Sequence, residues 1–250
     1  MNAKAMEPLG HALLAYVEGD LDAELAIRRD DGLDDPMPVS HFFRDPSEFT
    51  DIERCAISLC AGLVLDVGAG SGLHSLVLQE AGFAVTAIDV SPEAVQVMTR
   101  RGVKDARNAD VFDFHAERFD TALMLGHGIG MVENIAGLDR FLTRARSLVT
   151  QQGNVLFDSC DVRCTTDVRH LAYQNANRKA GRYIGEIRLQ IGFRGKFGPS
   201  CGWLHVDPDT MAERAELVGW KMSVVSRDAG GQYLGRLTPW HAGCGDCSAT

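Results

Sequence analysis

The chain has 250 residues, of which 45% are hydrophobic and 24% charged, and it carries a formal net charge of −9 at pH 7. Such a composition is typical of a globular protein and excludes the disordered and fibrous classes. The negative charge would repel a polyphosphate and no dense cluster of Lys or Arg offsets it, so we expect a small-molecule ligand and no nucleic-acid partner.

The N-terminus lacks the apolar segment of a signal peptide, because charged residues interrupt positions 1–20. No uncharged apolar stretch reaches membrane-spanning length, so we expect a cytoplasmic protein without a membrane partner. The seven cysteines are then expected to be reduced thiols. His241, Cys244 and Cys247 supply three possible zinc ligands but no fourth, and glycines surround them. A flexible tail over 241–250 is therefore favoured, and no metal is expected.

The first sixty residues carry apolar side chains at helical spacing. They predict one or two amphipathic helices over 5–29, an interruption over 30–38, and a second helix over 46–61 that is capped near Ser47. Residues 1–61 are accordingly expected to form a helical cap.

Strand and helix patterns alternate from residue 62 onward. Short apolar runs predict strands over 63–67, 84–88, 119–125 and 154–158, and Ser91 with Pro92 predicts the start of a helix. Alternating strands and helices indicate a parallel sheet, here spanning 62–160.

The last hundred residues have a different pattern. Residues 161–206 form an insertion in which 182–206 predicts a β-hairpin, because apolar and polar residues alternate on both sides of a glycine-containing turn. A helix over 208–218 and strands over 221–226 and 232–237 then complete the sheet with an antiparallel edge over 207–238. We expect one domain over 1–240, and the sequence leaves a monomer or a homodimer open.

A glycine-rich loop follows the first strand of this sheet, with Asp66 before it and glycines at 68, 70 and 72. Glycines let the backbone approach a ligand where a Cβ would clash. A dinucleotide-binding loop would have its third glycine one residue later, at Leu73. Asp66 would repel a phosphate but attract a cationic amine, such as that of a methionine moiety. The loop is therefore not expected to bind a pyrophosphate.

Asp89 ends the second strand of the sheet, where an acidic side chain can accept hydrogen bonds from both hydroxyls of a ribose. A charge at a helix N-terminus is the alternative interpretation, and it would stabilise the helix by only a few tenths of a kcal/mol. The glycine loop upstream favours the ribose role.

The segment 64–72, Val-Leu-Asp-Val-Gly-Ala-Gly-Ser-Gly, together with Ala87-Ile88-Asp89 resembles the class I S-adenosylmethionine-dependent methyltransferases, and the resemblance extends from Val64 to Asp158. It implies a Rossmann-like α/β fold with a mostly parallel seven-stranded sheet. It also implies S-adenosyl-L-methionine as cofactor and methyl transfer to a small-molecule acceptor.

The resemblance assigns roles to residues around the loop. An acidic residue after the third strand would reach the adenine amine, and Asp110 fits; the end of the fourth strand would form the floor of the cofactor site; Arg44 would lie near the cofactor carboxylate. The expected cofactor-binding residues are Arg44, Asp66, Gly68, Ala69, Gly70, Gly72, Asp89, Val90, Asp110, Val111, Leu125 and Gly126.

Candidates for catalysis and for binding the acceptor come from strand ends and from the insertion. His127 is a candidate base because imidazole titrates near neutrality, although a histidine between glycines can also only shape its loop. Asp158 ends the fifth strand, where a loop-bracing role is equally open. Glu186 and Arg188 should share a face of one strand, as an acceptor contact or as a solvent-facing ion pair. The expected catalytic residues are His127, Asp158, Tyr183 and Glu186, and the expected substrate residues are Phe43, Arg188 and Trp203.

Two other functions remain open at this point. An enzyme could use the same cofactor without methylating an acceptor, by intramolecular cyclisation of the cofactor, and a non-catalytic protein could bind it without turnover.

Overall fold

Two β-sheets organise the chain in the computed structural model, which describes residues 2–116 and 118–240. The tail containing His241, Cys244 and Cys247 lies outside these residues. The strands are β1 Glu24–Arg29, β2 Asp34–Pro38, β3 Leu63–Val67, β4 Ala84–Asp89, β5 Ala106–Asn108, β6 Phe119–Met124, β7 Val149–Cys160, β8 Glu186–Phe193, β9 Lys196–Phe197, β10 Cys201–Leu204, β11 Trp220–Arg227 and β12 Gln232–Pro239.

Seven α-helices flank these sheets in the described part of the chain. They are α1 Ala3–Val17, α2 Asp51–Ser58, α3 Leu73–Glu80, α4 Pro92–Arg101, α5 Ile135–Leu148, α6 Val168–Lys179 and α7 Pro208–Glu216. The predicted start of α4 is confirmed: the Ser91 side chain accepts from the Ala94 N–H and Pro92 occupies the first turn. None of the helices in the described residues is long and apolar enough to cross a bilayer.

The main sheet has seven strands in the order β11-β12-β7-β6-β3-β4-β5. Neighbouring strands from β5 to β7 pair in parallel, whereas β12 pairs antiparallel with both β7 and β11. This confirms the Rossmann-like α/β fold with an antiparallel edge. The carboxyl ends of the parallel strands therefore meet at one edge of the sheet, where open α/β sheets bind ligands.

The second sheet corrects the predicted helical cap. The expected helix over 5–29 ends at Val17, and Glu24–Arg29 is a strand. The physical reason is that β1 pairs antiparallel with β2 on one side and with β8 on the other, which places Leu25 and Ile27 on an apolar face. Tertiary pairing overrides a local pattern that also suits a helix.

The predicted hairpin over 182–206 is present, but it is part of this larger sheet. The strand order is β10-β8-β1-β2, with β9 paired to β8. Arg194 and Gly195 have φ values of 49° and 76° and join β8 to β9 in a two-residue turn. The preceding helix, α6, has no counterpart in the sequence-based prediction.

The predicted helix over 46–61 is shorter than expected. A 3₁₀ turn, Pro46–Glu48, comes first, and α2 begins after Thr50. Thr50 and Glu53 form a capping box, in which each side chain accepts from the other residue's backbone N–H at 3.2 and 2.8 Å. Capping at Thr50 instead of near Ser47 therefore sets the start of α2.

Helix α1 connects the two sheets. Its buried residues, including Leu13, pack with Val97 of α4 beside the main sheet and with Leu189 and Ile191 of the second sheet in one apolar cluster. Burial of this shared cluster holds the second sheet over the carboxyl ends of the parallel strands.

Candidate functional site

A cavity of about 780 Å³ lies between the strand ends of the main sheet and one face of the second sheet. Its volume is in the range of small-molecule sites. The glycine loop and Asp89 line one part of it, and Ile27 and Leu189 line the other. The cavity therefore extends from the predicted cofactor site to an apolar surface of the second sheet.

The glycine loop has the backbone conformation that its sequence requires. Gly68 and Gly70 have φ values of 69° and 55°, and the N–H groups of Gly68 and Ala69 donate to the Ile88 carbonyl at 2.9 and 3.1 Å. A Cβ on Gly68 would lie 2.5 Å from the Met131 Cε, whereas one on Gly70 would meet no atom within 4 Å. The loop thus packs closely on one side and presents bare backbone on the other.

The Asp89 carboxylate is held beside this loop. One oxygen accepts from the Gly70 N–H and the other from the Ser91 N–H, each at 2.9 Å. Burial raises the pKa of this carboxyl above its ordinary value, and the two N–H donors oppose the rise. Because a carboxylate has about four lone-pair sites, two of them can still accept from the hydroxyls of a ribose. The cradle therefore fits the nucleoside of the predicted cofactor.

The other predicted cofactor residues divide into two groups. Arg44, Val90, Asp110, Val111 and Gly126 line the cavity together with the loop. The other three residues, Asp66, Gly72 and Leu125, lie behind the cavity wall. Asp66 is 2% exposed and accepts a hydrogen bond from the Ser75 hydroxyl at 2.6 Å. Leu125 belongs to the core, and Gly72 packs against Val103. Burial also raises the pKa of the Asp66 carboxyl.

A cluster of charged side chains lies beside the loop. The Glu53 carboxylate pairs with an Arg44 guanidinium nitrogen at 2.8 Å and with the His74 Nε2 at 3.0 Å. Burial alone would raise the pKa of Glu53, but the hydrogen bonds from His74 and Thr50 reverse this effect and hold the pKa well below its usual range. Glu53 and His74 were missed in the sequence because a contact between α2 and α3 leaves no local pattern.

His127 lies at the carboxyl end of β6 in the left-handed region, with a φ of 58°. Its backbone N–H donates to both oxygens of Asp158 at 2.9 and 3.0 Å, and burial raises the pKa of that carboxyl. A non-glycine residue in this conformation is uncommon and is often found at functional sites. Asp158 therefore braces the His127 backbone.

The His127 ring packs edge-on against His205, with the centroids 5.4 Å apart, and both residues line the cavity. The Nδ1 atoms of both rings are buried without a hydrogen-bond partner in the described structure. Burial, followed by the neighbouring His127, lowers the pKa of His205 to about 3. His205, which directly follows β10, has no role in the sequence analysis, because its contact with a residue far away along the chain leaves no local pattern.

The predicted acceptor residues have different positions. Trp203 lines the cavity. Glu186 accepts from the Ile135 N–H at 3.2 Å, and Arg188 is exposed on the same face of β8, opposite the face that lines the cavity. Tyr183 donates its hydroxyl to Asp207 at 2.5 Å.

Phe43 stacks on Tyr16 with the centroids 4.4 Å apart, and its neighbour Phe42 lines the cavity in its place. The predicted face shared by Glu186 and Arg188 is therefore present, but it does not line the cavity. Roles for these two residues, Tyr183 and Phe43 in catalysis or acceptor binding stay predictions that their positions do not support.

Among the described residues, no group of three or more His, Cys, Asp or Glu side chains is arranged to hold a metal ion.

Comparisons with known proteins converge on one family. Residues 65–157 match a family model described as a methyltransferase domain. A solved S-adenosylmethionine-dependent methyltransferase from Bacteroides fragilis, in complex with S-adenosyl-L-homocysteine, is 33% identical, has a TM-score of 0.84 and covers 96% of this chain and 98% of its own.

Two further proteins are more distant. A curated ubiquinone biosynthesis O-methyltransferase from Actinobacillus pleuropneumoniae is 27% identical over an alignment of 127 residues. The match covers 46% of this chain and about half (53%) of the relative. The methyltransferase CcbJ from Streptomyces caelestis shares the fold, with 10% identity, a TM-score of 0.57 and coverage of 78% of this chain and 94% of its own.

Proposed function

This chain belongs to the S-adenosylmethionine-dependent methyltransferases, and we propose that its acceptor is a small molecule bound in the cavity between the two sheets. The observation that carries this proposal is the continuity of the cavity, which extends without a break from the glycine loop to the second sheet. An acceptor on that surface would lie beside the cofactor and out of bulk water, as a direct displacement requires.

The cofactor supplies a methyl group on a cationic sulfur that is already electrophilic. The chain's own residues would hold it: the Gly68–Gly70 backbone beside the sugar, Asp89 at its hydroxyls and Asp110 near the adenine. Arg44 and His74 would lie near the amino-acid end, where the Glu53 carboxylate orients both. The support for this arrangement is that all of these residues line one cavity.

His127 would accept the proton of the acceptor. When the acceptor heteroatom takes the methyl group from the sulfur, the proton of that heteroatom would pass to a ring nitrogen of His127. His205, which burial keeps neutral, would orient the acceptor through a hydrogen bond. Positioned bases of this kind contribute about 10²–10⁴-fold to a rate.

The comparisons support neither alternative function, because the matched proteins are methyltransferases. The deciding experiment is an assay of S-adenosyl-L-homocysteine release against a metabolite library, with mass spectrometry of the methylated product. Cofactor binding without a methylated product from any acceptor would overturn the proposal.

His127→Asn tests the role of the histidine. Asn tolerates the left-handed backbone that His127 adopts, so the loop should keep its shape. We expect kcat to fall about 10²-fold, with unchanged affinity for S-adenosyl-L-homocysteine. His41→Asn, at a histidine beside Arg44 in the same cavity, is the control and should keep the wild-type kcat. A His127→Asn variant with the wild-type kcat would exclude the base.

A further inference from the structure

The face of the second sheet that lines the cavity is built in rows across its strands. Every second residue of β1 faces the cavity, namely Leu25, Ile27 and Arg29. The same holds along β8 for Ile187, Leu189 and Ile191. The strand register places Ile27 opposite Ile191 and Arg29 opposite Leu189. It also places Trp203 of β10 opposite Ile187. The part of this floor formed by β1, β8 and β10 is therefore apolar apart from Arg29.

This register gives the distance along the sheet between His205 and Arg29. His205 donates its backbone N–H to Gly185, whereas Arg29 lies opposite Leu189, four residues further along β8. Four residues of an antiparallel strand span about 14 Å. The row of Ile187 and Trp203 lies between the two ends. An acceptor that contacts both the histidine pair and Arg29 therefore crosses this row and is elongated.

Arg29 is a cation built into this floor. Its side chain is only 10% exposed, and Nε and Nη2 donate to Asp31 at 2.8 and 2.7 Å. The guanidinium lies over the Tyr173 ring of α6, 4.3 Å from the centroid. A guanidinium has five N–H donors, and the pair with Asp31 uses two of them. Arg29 can therefore bind a second carboxylate while it keeps Asp31.

The neighbouring Arg28–Asp34 ion pair shows that the Arg29–Asp31 ion pair is not an ordinary surface pair. Arg28 donates to Asp34 in the same two-pronged way, at 2.7 and 2.9 Å, but its side chain is 46% exposed and lies on the opposite face of β1. A buried cation costs more free energy than an exposed one unless anions surround it. Asp35 also lines the cavity, opposite Ile27 in the row that follows Arg29 as counted from His205. Asp35 lies at the exposed rim and would repel an anion placed in that row.

We propose, on the basis of the function proposed above, that the acceptor is an elongated, mainly apolar molecule with a carboxylate at the end remote from its methylated group, and that Arg29 binds this carboxylate. The apolar body lies on Leu189, Ile187 and Trp203. The nucleophilic end lies at His127 and His205. Arg29 thus determines specificity and takes no part in the transfer itself.

The test uses a matched pair of probes, 4-phenylbutyrate and its amide, which share an apolar body and differ in charge. Their affinities are measured by calorimetry on the full chain, with and without saturating S-adenosyl-L-homocysteine. We expect the acid to bind at least tenfold more tightly than the amide. Arg29→Gln should reduce this ratio to within twofold, whereas Arg28→Gln, which breaks the matched pair on the outer face, should keep it. The longer 6-phenylhexanoate should bind more tightly than phenylacetate.

Equal affinities of acid and amide for the wild-type chain would overturn the proposal without any variant. Failure of both probes to bind would also overturn it, as would the same loss of ratio in Arg28→Gln. Thermal melts verify that each variant is folded, and Arg29→Lys, which keeps the charge, should retain part of the preference. If S-adenosyl-L-homocysteine does not bind or no acceptor is methylated, the proposed function fails; if both occur and the ratio is one, only this inference fails.

Discussion

Asp89 is a half-buried residue whose side chain joins two neighbouring elements. Its carboxylate accepts from Gly70 in the glycine loop and from Ser91 at the start of α4. The sequence offered a ribose acceptor and a helix-terminal charge as alternatives, and the geometry is compatible with both, because a carboxylate has lone pairs left after two hydrogen bonds. Asp89 therefore links the loop, the helix and the predicted cofactor site.

Asp89→Asn should weaken binding of S-adenosyl-L-homocysteine by roughly 1–3 kcal/mol, because the amide loses one acceptor oxygen beside the ribose. Folding should also be destabilised by about 1 kcal/mol, since one of the two backbone N–H groups loses its partner. Calorimetry and urea melts measure the two effects. Asp105→Asn is the control, because the Asp105 carboxylate, directly before β5, accepts a hydrogen bond from the Thr86 hydroxyl of β4 at 2.8 Å. An unchanged affinity in Asp89→Asn would leave Asp89 with a purely structural role.

At the scale of elements, α6 covers the apolar part of the cavity. Its Tyr173 hydroxyl donates to Asp30 at 2.7 Å and accepts from the Arg188 N–H at 3.1 Å, and its ring lies under the Arg29 guanidinium. These contacts attach the helix to β1 and β8 together. The local sequence did not predict α6 because its face toward the cavity is polar and leaves no clear apolar stripe.

Tyr173→Phe should loosen α6, because it removes both hydrogen bonds and keeps the ring. We expect the free energy of unfolding to fall by about 1–2 kcal/mol and amide hydrogen exchange over Val168–Lys179 to accelerate. KM for the acceptor should rise while affinity for S-adenosyl-L-homocysteine stays unchanged. Tyr16→Phe, at a tyrosine whose ring stacks on Phe43, is the control. Unchanged exchange in α6 would show that other contacts hold the helix.

Across the whole molecule, the two sheets meet at the His127–His205 pair, and this contact should make stability depend on pH. Burial lowers the pKa of His205 from 6.5 to about 3. The unfolded chain therefore binds more protons between these two values, so stability falls as the pH drops below about 6.5. The loss caused by this one group should reach roughly 1–2 kcal/mol at pH 5.

Urea melts of the wild type and of His205→Phe at pH 7 and pH 5 measure this effect. The wild type should lose more stability than the variant between the two pH values, because the phenyl ring cannot be protonated. His115→Asn, at an exposed histidine, is the control and should follow the wild type. If the wild type and His205→Phe lost the same amount of stability, protonation of His205 would not destabilise the folded state.

The sequence by itself determined the main sheet, the glycine loop and Asp89. These features depend on short segments in which strand, glycine and acid follow one another, so local periodicity and backbone chemistry are sufficient to predict them. Only the tertiary structure decided that Glu24–Arg29 is a strand, that His205 contacts His127, and that Arg29 faces the cavity. The physical reason is that β1 pairs with a strand far away in the chain, and such pairing is selected by burial of a shared apolar face, which no local pattern records.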